Sequence, residues 1–285
     1  MKKVSIIGLG WLGMPLAQVL QRGGMQVVGS KTTSDGVEAA CLCGVDCYLL
    51  NLVPQIICDA DDLDQLMLVD VLVLALPVSG VAGGGKEYVK AVQLLVDTAL
   101  SYSVPRIIFT SSTSVYGSSV GCLNEDDPLY PDTESAKALV ELENWLHQLP
   151  NTSVDVLRLA GLVGNGRHAG RFLAGKKALK GGESAVNLVH QDDVISAIKL
   201  LIQQPEGGHL FNLCAPIHPK KAAFYPSASH QLDLTPPEFL LSESAEIESK
   251  LKIDGKDGKV VDGSRICREL GFEYQFPDPG RMPMS

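Results

Sequence analysis

An apolar segment near the start of the chain, Val4–Leu9, runs directly into the glycine motif G-x-G-x-x-G. A strand followed by this turn and by the start of a helix is an arrangement that holds a pyrophosphate. Gly8 permits the tight turn, Gly10 lets the backbone approach the phosphates, and Gly13 lets the helix pack closely on the strand. The motif therefore predicts a dinucleotide site, with a glycine-rich turn that binds no ligand as the alternative.

Short apolar strands alternate with helical patterns along the first 160 residues or so, which predicts a parallel sheet covered by helices on both faces. The run Val71–Leu76 is apolar throughout, as is typical of a central strand. The predicted strands are Val4–Leu9, Gln26–Lys31, Cys47–Asn51, Val71–Leu76, Arg106–Ser111, Val154–Leu159 and His209–Cys214. The predicted helices are Trp11–Arg22, Gly36–Cys43, Lys86–Ser103, Thr133–Gln148, Asp192–Gln204, His218–Leu232 and Gly263–Leu270.

Loop signals and polar residues become more frequent after about residue 160. We therefore predict an α/β protein with a Rossmann-type doubly wound parallel sheet and a smaller, partly discontinuous C-terminal substrate domain. The dinucleotide-binding domain is expected at 1–163 plus about 187–215. The substrate-side domain is expected at about 164–186 plus 216–285.

Composition excludes several other classes of protein. A net charge of −9 without a basic block argues against nucleic-acid binding. The sequence has no apolar run of about 18 residues, which predicts no membrane span, and the first strand begins too early to leave room for a signal peptide. Seven cysteines without framework spacing favour reduced thiols and a cytoplasmic location. No metal site is predicted, because the group Cys41, Cys43 and Cys47 lacks paired C-x-x-C units.

A second glycine-rich segment, Gly80–Lys86, fits the phosphate-binding pattern G-x-x-x-x-G-K. The next residue is Glu87, however, where such a loop needs Ser or Thr to contact Mg²⁺. A carboxylate at this position would also repel phosphate. We therefore interpret residues 79–86 as a flexible loop and not as a nucleoside-triphosphate site.

The end of the second strand predicts which dinucleotide is bound. An acid there prefers the free ribose 2′-OH of NAD, yet the segment Gly29–Thr33 has no carboxylate and carries Lys31 among three hydroxyls. A 2′-phosphate would receive charge-assisted hydrogen bonds from these groups. NADP(H) is therefore predicted over NAD(H), with a solvated strand-end lysine as the alternative. The predicted cofactor-binding residues are Gly8, Gly10, Trp11, Leu12, Gly13, Ser30, Lys31, Thr32, Leu76, Pro77 and Ser111.

Four further segments resemble the extended short-chain dehydrogenase/reductases, the group that contains nucleotide-sugar epimerases and dehydratases. They are Thr110–Gly117, which ends in V-Y-G, Leu157–Arg167, which begins L-R, Asn187–Val194, which reads N-L-V-H-Q-D-D-V, and Val261–Phe272. The resemblance spans nearly the whole chain in the expected order. It implies a small-molecule site in a cleft between a cofactor domain and a smaller substrate domain. It also implies a homodimer formed through the helices at 86–103 and 133–148, although the sequence itself leaves the oligomeric state open.

The resemblance fails at the usual acid/base pair. The family uses a Ser or Thr that binds the substrate oxygen, then Tyr-x-x-x-Lys on a helix, where the lysine lowers the pKa of the tyrosine. Ser112 matches the serine, but Ser135 and Leu139 occupy the Tyr and Lys positions. The chain therefore resembles the atypical branch, which includes reductases with a relocated proton donor and proteins that bind cofactor without a reaction. The candidate proton donors are Tyr130, His190 and Lys137, with a structural role as the alternative for His190.

Two arginines are the candidate substrate-binding residues, and the sequence leaves three functions to compare. Arg158 and Arg167 suit a phosphorylated or carboxylated substrate, with loop anchoring as the alternative for both. The leading hypothesis is an NADP(H)-dependent oxidoreductase or epimerase-like enzyme with a non-standard proton donor. A non-catalytic NADP(H)-binding sensor or scaffold is the alternative from another class. The segments Gly8–Ala17 and Ala75–Pro77 also resemble the β-hydroxyacid dehydrogenases, which rank lowest because their second domain is all-helical.

Overall fold

The computed structural model describes residues 1–52, 55–80, 83–240 and 258–284. The strands are β1 (Lys3–Ile7), β2 (Gln26–Lys31), β3 (Asp46–Leu49), β4 (Val71–Leu74), β5 (Arg106–Ser112), β6 (Gly121–Leu123), β7 (Ser153–Leu159), β8 (Gly161–Val163), β9 (Leu188–His190), β10 (Leu210–Leu213) and β11 (Lys259–Val261). The helices are α1 (Gly13–Arg22), α2 (Ser34–Leu42), α3 (Ala60–Met67), α4 (Gly85–Ser101), α5 (Glu134–Leu146), α6 (Gly170–Leu173), α7 (Gln191–Gln203), α8 (Lys221–His230) and α9 (Arg265–Leu270). Short 3-10 turns lie at Val78–Gly80, Thr113–Tyr116 and Pro279–Arg281.

Seven strands form the central sheet in the order β10-β7-β5-β4-β1-β2-β3. The pairs β1–β2, β1–β4, β2–β3 and β4–β5 are all parallel. This sheet confirms the predicted α/β fold of the Rossmann type. The chain runs outward from β1 to β3 and then returns to β4 on the other side of β1, so the direction of winding reverses there. In sheets of this kind ligands bind outside the carboxyl ends of the strands at such a reversal.

Burial and capping explain why the elements of the sheet layer form. All four residues of β4 are buried, as the apolar run at Val71–Leu74 predicts for a central strand. Thr33, Asp59 and Thr133 begin α2, α3 and α5, and the side-chain oxygen of each accepts a backbone N–H of its helix. Helix α3 has no counterpart among the predicted helices. Its capping Asp59 and its buried Leu66 and Met67 are too short a pattern to separate from a loop.

The chain divides into two compact units. The first unit consists of Met1–Val115, Pro131–Arg158 and Ile195–Leu210, and the second of Tyr116–Tyr130, Leu159–Val194 and Phe211–Ser285. The predicted substrate-side ranges, 164–186 and 216–285, fall in the second unit, although residues 241–257 lie outside the described residues. The second unit also takes 116–130, 159–163, 187–194 and 211–215. Substrate binding by this unit stays a prediction.

The second unit has its own core and its own strands. Two parallel pairs, β6–β11 and β8–β9, lie in it. Its core includes two residues of the C-terminal segment, Met282 and Met284, which are buried with Phe224 and other apolar side chains. The strands distinguish this unit from the all-helical second domain that a β-hydroxyacid dehydrogenase would carry.

The described part of the chain contains no helix that is long and apolar enough to cross a membrane. All seven cysteines are free thiols. Among the described residues, no group of three or more His, Cys, Asp or Glu side chains is placed to hold a metal ion. The loop predicted at 79–86 lies partly outside the described residues, which do not include 81 and 82.

A buried ion pair in the first unit joins β5 to β7. Asp155 is fully buried, and its carboxylate accepts from Nε of Arg106 at 2.8 Å. It also accepts the backbone N–H of His209 at 3.1 Å and lies 2.7 Å from Nδ1 of the same residue. Nη1 of Arg106 donates to the carbonyl of Gln204 at 2.8 Å. Removing the carboxylate would leave a buried cation without its counter-charge.

We expect Asp155→Ala to lower the free energy of unfolding by about 3–5 kcal/mol, because breaking one partner of a buried pair strands the other charge. Lys90→Ala is the matched control, since the Lys90–Glu87 pair is largely exposed and such a pair contributes at most about 1 kcal/mol. Urea unfolding followed by circular dichroism measures both variants. Equal losses in the two variants would contradict this prediction.

Candidate functional site

The glycine turn connects the carboxyl end of β1 to the start of α1, and each of its glycines has a different role. Gly8 has φ of +100°, in the region that favours glycine. A Cβ on Gly13 would lie only 2.2 Å from the carbonyl oxygen of Gly8, so only glycine permits this close approach. A Cβ on Gly10 would meet nothing within 4 Å. The space beside Gly10 is therefore open, as the approach of a pyrophosphate requires.

Helix α1 begins without a capping side chain. Leu12 at its N-cap makes no side-chain hydrogen bond, and the first turn contains no acidic residue. This contrasts with the capped helices α2, α3 and α5. The positive end of the α1 dipole is therefore not neutralised by a side chain of its own first turn. An anion at this terminus would supply the missing negative charge, so the geometry fits the diphosphate of a dinucleotide.

Ser30 holds the glycine turn from the neighbouring strand. It is 3% exposed, and its Oγ accepts the backbone N–H of Gly8 at 3.3 Å. Its carbonyl accepts the N–H of Leu9 at 3.0 Å. The preceding Gly29 makes room for Leu9, because a Cβ there would lie 2.6 Å from Cγ of that leucine. The structure therefore gives Ser30 a positioning role, while direct contact with a ribose stays a prediction.

Lys31, the residue predicted to select NADP(H) over NAD(H), is the last residue of β2. Lys31 is half-buried, and a Cβ on Gly36 in the first turn of α2 would lie 3.4 Å from its Cδ. Thr32 is exposed, whereas the hydroxyl of Thr33 accepts the N–H of Gly36 at 3.2 Å. Asp35 places one carboxylate in the same turn. Lys31 and Thr32 thus lie next to the start of α2 with one acid in the same turn, while contact of these residues with a 2′-phosphate stays a prediction.

The segment after β4 lies against the glycine turn. A Cβ on Gly8 would lie 3.0 Å from the carbonyl oxygen of Ala75 and 3.1 Å from Cδ2 of Leu76. The carbonyl of Leu76 accepts the hydroxyl of Tyr88 at 3.0 Å, and Pro77 is exposed. The structure thus brings Leu76 beside the turn, while contact of Leu76 and Pro77 with a cofactor stays a prediction.

Ser111 belongs to a buried polar cluster with Glu143 and Arg158. The hydroxyl of Ser111 donates to Glu143, whose carboxylate accepts from Nε and Nη2 of Arg158 at 3.0 Å and 2.8 Å. Glu143 and Arg158 are 1% and 4% exposed. This pairing fixes α5 to the ends of β5 and β7, which favours the anchoring alternative for Arg158 over substrate contact. Glu143 is absent from the predicted site residues, although an arginine in a buried strand signals the need for a carboxylate partner.

Ser112 ends β5 in a half-buried position. Its Oγ accepts the backbone N–H of Ser114 at 3.1 Å. This bond occupies an acceptor site of the hydroxyl, so its proton can be donated to another group. The arrangement suits the predicted role of orienting a carbonyl or hydroxyl oxygen.

The helix that carries the acid/base pair in the resembled family is α5. Ser135 is exposed on it and Leu139 is 5% exposed. Lys137 forms an exposed ion pair with Glu134 at 2.8 Å, and this hydrogen bond raises the pKa of the lysine. Lys137 therefore stays protonated near neutral pH, and a role in proton transfer stays a prediction.

The other two proton-donor candidates and Arg167 belong to the second unit. Tyr130 is 64% exposed. His190 is buried, and its Nδ1 accepts the N–H of Asp192 at 3.2 Å while its Nε2 lies 2.8 Å from the carbonyl oxygen of Pro283. Because both ring nitrogens have partners, this geometry favours the structural alternative for His190. Arg167 is exposed, and its backbone pairs with Gly164.

Comparison with known proteins identifies relatives of this chain. The family model of the NAD dependent epimerase/dehydratase family matches residues 4–214. Protein YeeZ of Escherichia coli K12 is 58% identical over 285 residues, which cover 100% of both chains. This match confirms the resemblance to the epimerase and dehydratase group.

Solved structures share the fold. A short-chain dehydrogenase/reductase superfamily protein from Agrobacterium tumefaciens with bound NAD has a TM-score of 0.72 at 18% identity, covering 98% of this chain and 94% of that one. UDP-glucose 4-epimerase from Thermotoga maritima with UDP-glucose has a TM-score of 0.73 at 17% identity, covering 96% and 94%. At these identities the likeness concerns the fold alone.

Two glycines of the turn, Gly13 and Gly10, are expected to respond differently to alanine. Gly13→Ala should lower the free energy of unfolding by about 3 kcal/mol, because the added Cβ overlaps the carbonyl of Gly8. Gly10→Ala should change it by less than about 0.5 kcal/mol but weaken dinucleotide binding at least about tenfold, because the methyl group enters the open space. Urea unfolding and calorimetric titration measure the two effects. Unchanged dinucleotide affinity in Gly10→Ala would rule out a pyrophosphate beside this residue.

Proposed function

Because this chain belongs to the NAD dependent epimerase/dehydratase family, we propose that it binds NADP(H) at the glycine turn and acts as an oxidoreductase or epimerase-like enzyme on a small molecule. The observation that carries the proposal is the uncapped start of α1 beside the open space at Gly10. An enzyme that transfers hydride needs a firmly positioned dinucleotide, and this terminus provides the anchoring charge.

The preference for NADP(H) rests on the end of β2. Lys31 places a cation beside the first turn of α2, and Thr32 adds an exposed hydroxyl. A 2′-phosphate accepts charge-assisted hydrogen bonds from such groups. The carboxylate of Asp35 opposes this preference, so the net discrimination depends mainly on the charge of Lys31.

Ser112 is proposed to orient the reacting oxygen. Its Oγ accepts the N–H of Ser114, which leaves the hydroxyl proton available for donation to the substrate carbonyl or hydroxyl oxygen. A bound nicotinamide would supply or accept the hydride. The proton that balances this transfer would pass through a group other than the missing tyrosine, for which Tyr130, Lys137 and His190 stay the candidates. Among these, Tyr130 has the hydroxyl chemistry of the missing residue and is exposed.

We expect Lys31→Glu to raise the dissociation constant of NADPH by about tenfold or more and to leave that of NADH within about twofold. The substitution replaces attraction of the 2′-phosphate with repulsion, and one lost charge-assisted bond is worth about 1.5–3 kcal/mol. Lys90→Glu on α4 is the matched control, because Lys90 pairs with Glu87 and does not border β2. Calorimetric titration with both dinucleotides makes the measurement. Equal loss of NADPH and NADH affinity would contradict the selecting role.

Turnover should depend on Ser112 once a substrate is in hand. Ser112→Ala is expected to lower kcat/KM by about 10²-fold or more while dinucleotide affinity stays unchanged, because the variant loses only the hydroxyl that orients the reacting oxygen. Ser114→Ala keeps the backbone N–H that holds Ser112 and should retain activity. Steady-state kinetics of both variants provide the test, and full activity in Ser112→Ala would exclude the proposed role.

A non-catalytic NADP(H) sensor or scaffold is the second candidate. Two observations favour it. Leu139 is buried at the position of the family's lysine, and Nε2 of His190 lies within hydrogen-bond distance of the carbonyl oxygen of Pro283. Tight binding of NADPH without hydride transfer to any of a panel of carbonyl compounds would support it. A protein partner whose affinity differs between NADP⁺ and NADPH would establish it. The homodimer and the cytoplasmic location stay predictions from the sequence.

A further inference from the structure

We propose that Tyr88 is a positioning residue of the nucleotide site, because its hydroxyl fixes the chain segment that lies against the glycine turn. The inference rests on the proposed function, since it assigns Tyr88 to the binding of the same dinucleotide. Tyr88 lies on α4, outside the glycine motif and outside the four segments that carry the family resemblance.

The tyrosine is placed to act as a fixed donor. Its side chain is fully buried, and its hydroxyl donates to the carbonyl oxygen of Leu76 at 3.0 Å. Burial raises the pKa of Tyr88, so the phenol keeps its proton at neutral pH. A protonated hydroxyl on a buried side chain, with a carbonyl oxygen within reach, gives a hydrogen bond whose donor is shielded from water.

The accepting carbonyl lies beyond the ladder of the sheet. β4 ends at Leu74, whose carbonyl accepts from Oγ1 of Thr110 at 2.9 Å. The N–H of Ala75 still reaches the carbonyl of Ile7 at 3.1 Å. Leu76 follows these contacts. The neighbouring strands hold the backbone by hydrogen bonds up to residue 75, and the hydroxyl of Tyr88 on α4 supplies the next hydrogen bond, to the carbonyl of Leu76.

The held segment is in contact with the turn. A Cβ on Gly8 would lie only 3.1 Å from Cδ2 of Leu76, so the leucine side chain packs tightly against the turn at this glycine. A shift of Leu76 would therefore move into the space of the turn or away from it. Through this contact, a hydroxyl on α4 sets the geometry of the residues that surround the predicted pyrophosphate.

The chain offers a matched control on the same helix. Tyr102, at the C-cap of α4, also donates its hydroxyl, in this case to Oδ1 of Asp64 at 2.6 Å. Tyr88→Phe and Tyr102→Phe each delete one hydroxyl and keep the ring. Both variants lose one hydrogen bond, but only Tyr88 contacts a segment beside the glycine turn.

We expect Tyr88→Phe to raise the dissociation constants of NADPH and NADH by the same factor, about five- to tenfold, and to leave their ratio unchanged. Tyr102→Phe should leave both within about twofold. Calorimetric titration measures the constants, and urea midpoints report stability. Unchanged affinity in Tyr88→Phe, or equal weakening in both variants, would overturn the inference, because either result would assign the hydroxyl to stability alone.

Hydrogen exchange of the protein without nucleotide separates this inference from the proposed function. Amides of residues 8–13 and 75–80 should exchange faster in Tyr88→Phe than in the unsubstituted protein, and at the unsubstituted rate in Tyr102→Phe. If the unsubstituted protein binds neither dinucleotide, the proposed function fails, and the positioning of the turn by Tyr88 is still decided by exchange. Unchanged exchange in Tyr88→Phe would overturn it.

Discussion

The approach of Gly13 to Gly8 is the constraint on which the nucleotide site depends. A side chain on Gly13 would overlap a backbone carbonyl, so the first turn of α1 can press against the end of β1 only with glycine there. That contact aims the helix terminus at the space beside Gly10. Ser30 from β2 and Leu76 after β4 then hold the turn from both neighbouring strands. Both contacts follow from the reversal of winding at β1, because the reversal places β2 on one side of β1 and β4 on the other.

Much of this arrangement could be predicted from the sequence. The bounds of β2 match the prediction, and β1, β4, β5 and β7 differ from it by one to three residues at their ends. The periodicity of apolar residues decides such elements because burial on both faces leaves few alternatives. Helix α3 escaped prediction, since only Leu66 and Met67 of its eight residues are buried. The short pairs β6–β11 and β8–β9 escaped it too, because three-residue strands carry no pattern of their own.

The site was predictable in its motifs but not in its polar partners. Sequence spacing placed Ser30 and Ser111 near a cofactor, yet the first accepts the N–H of Gly8 and the second donates to Glu143. For Arg158 the sequence leaves substrate binding and loop anchoring open, and the ion pair with Glu143 favours anchoring. Such pairings join residues 15 to 32 positions apart, which periodicity does not reveal. They depend on the order of strands in the sheet, which is known only once the fold is described.

The C-terminal segment sets an order of assembly during synthesis. Met282 and Met284 fill the core of the second unit, and Asp193 accepts the N–H groups of Gln275 and Phe276. The last strand of the central sheet ends at Leu213, so every strand of that sheet emerges from the ribosome before these methionines are made. At about 5–20 residues per second, synthesis of the chain from Leu213 to Met282 takes several seconds. During that time the apolar core of the second unit lacks these two side chains, so apolar surface that they cover in the folded protein stays exposed to water.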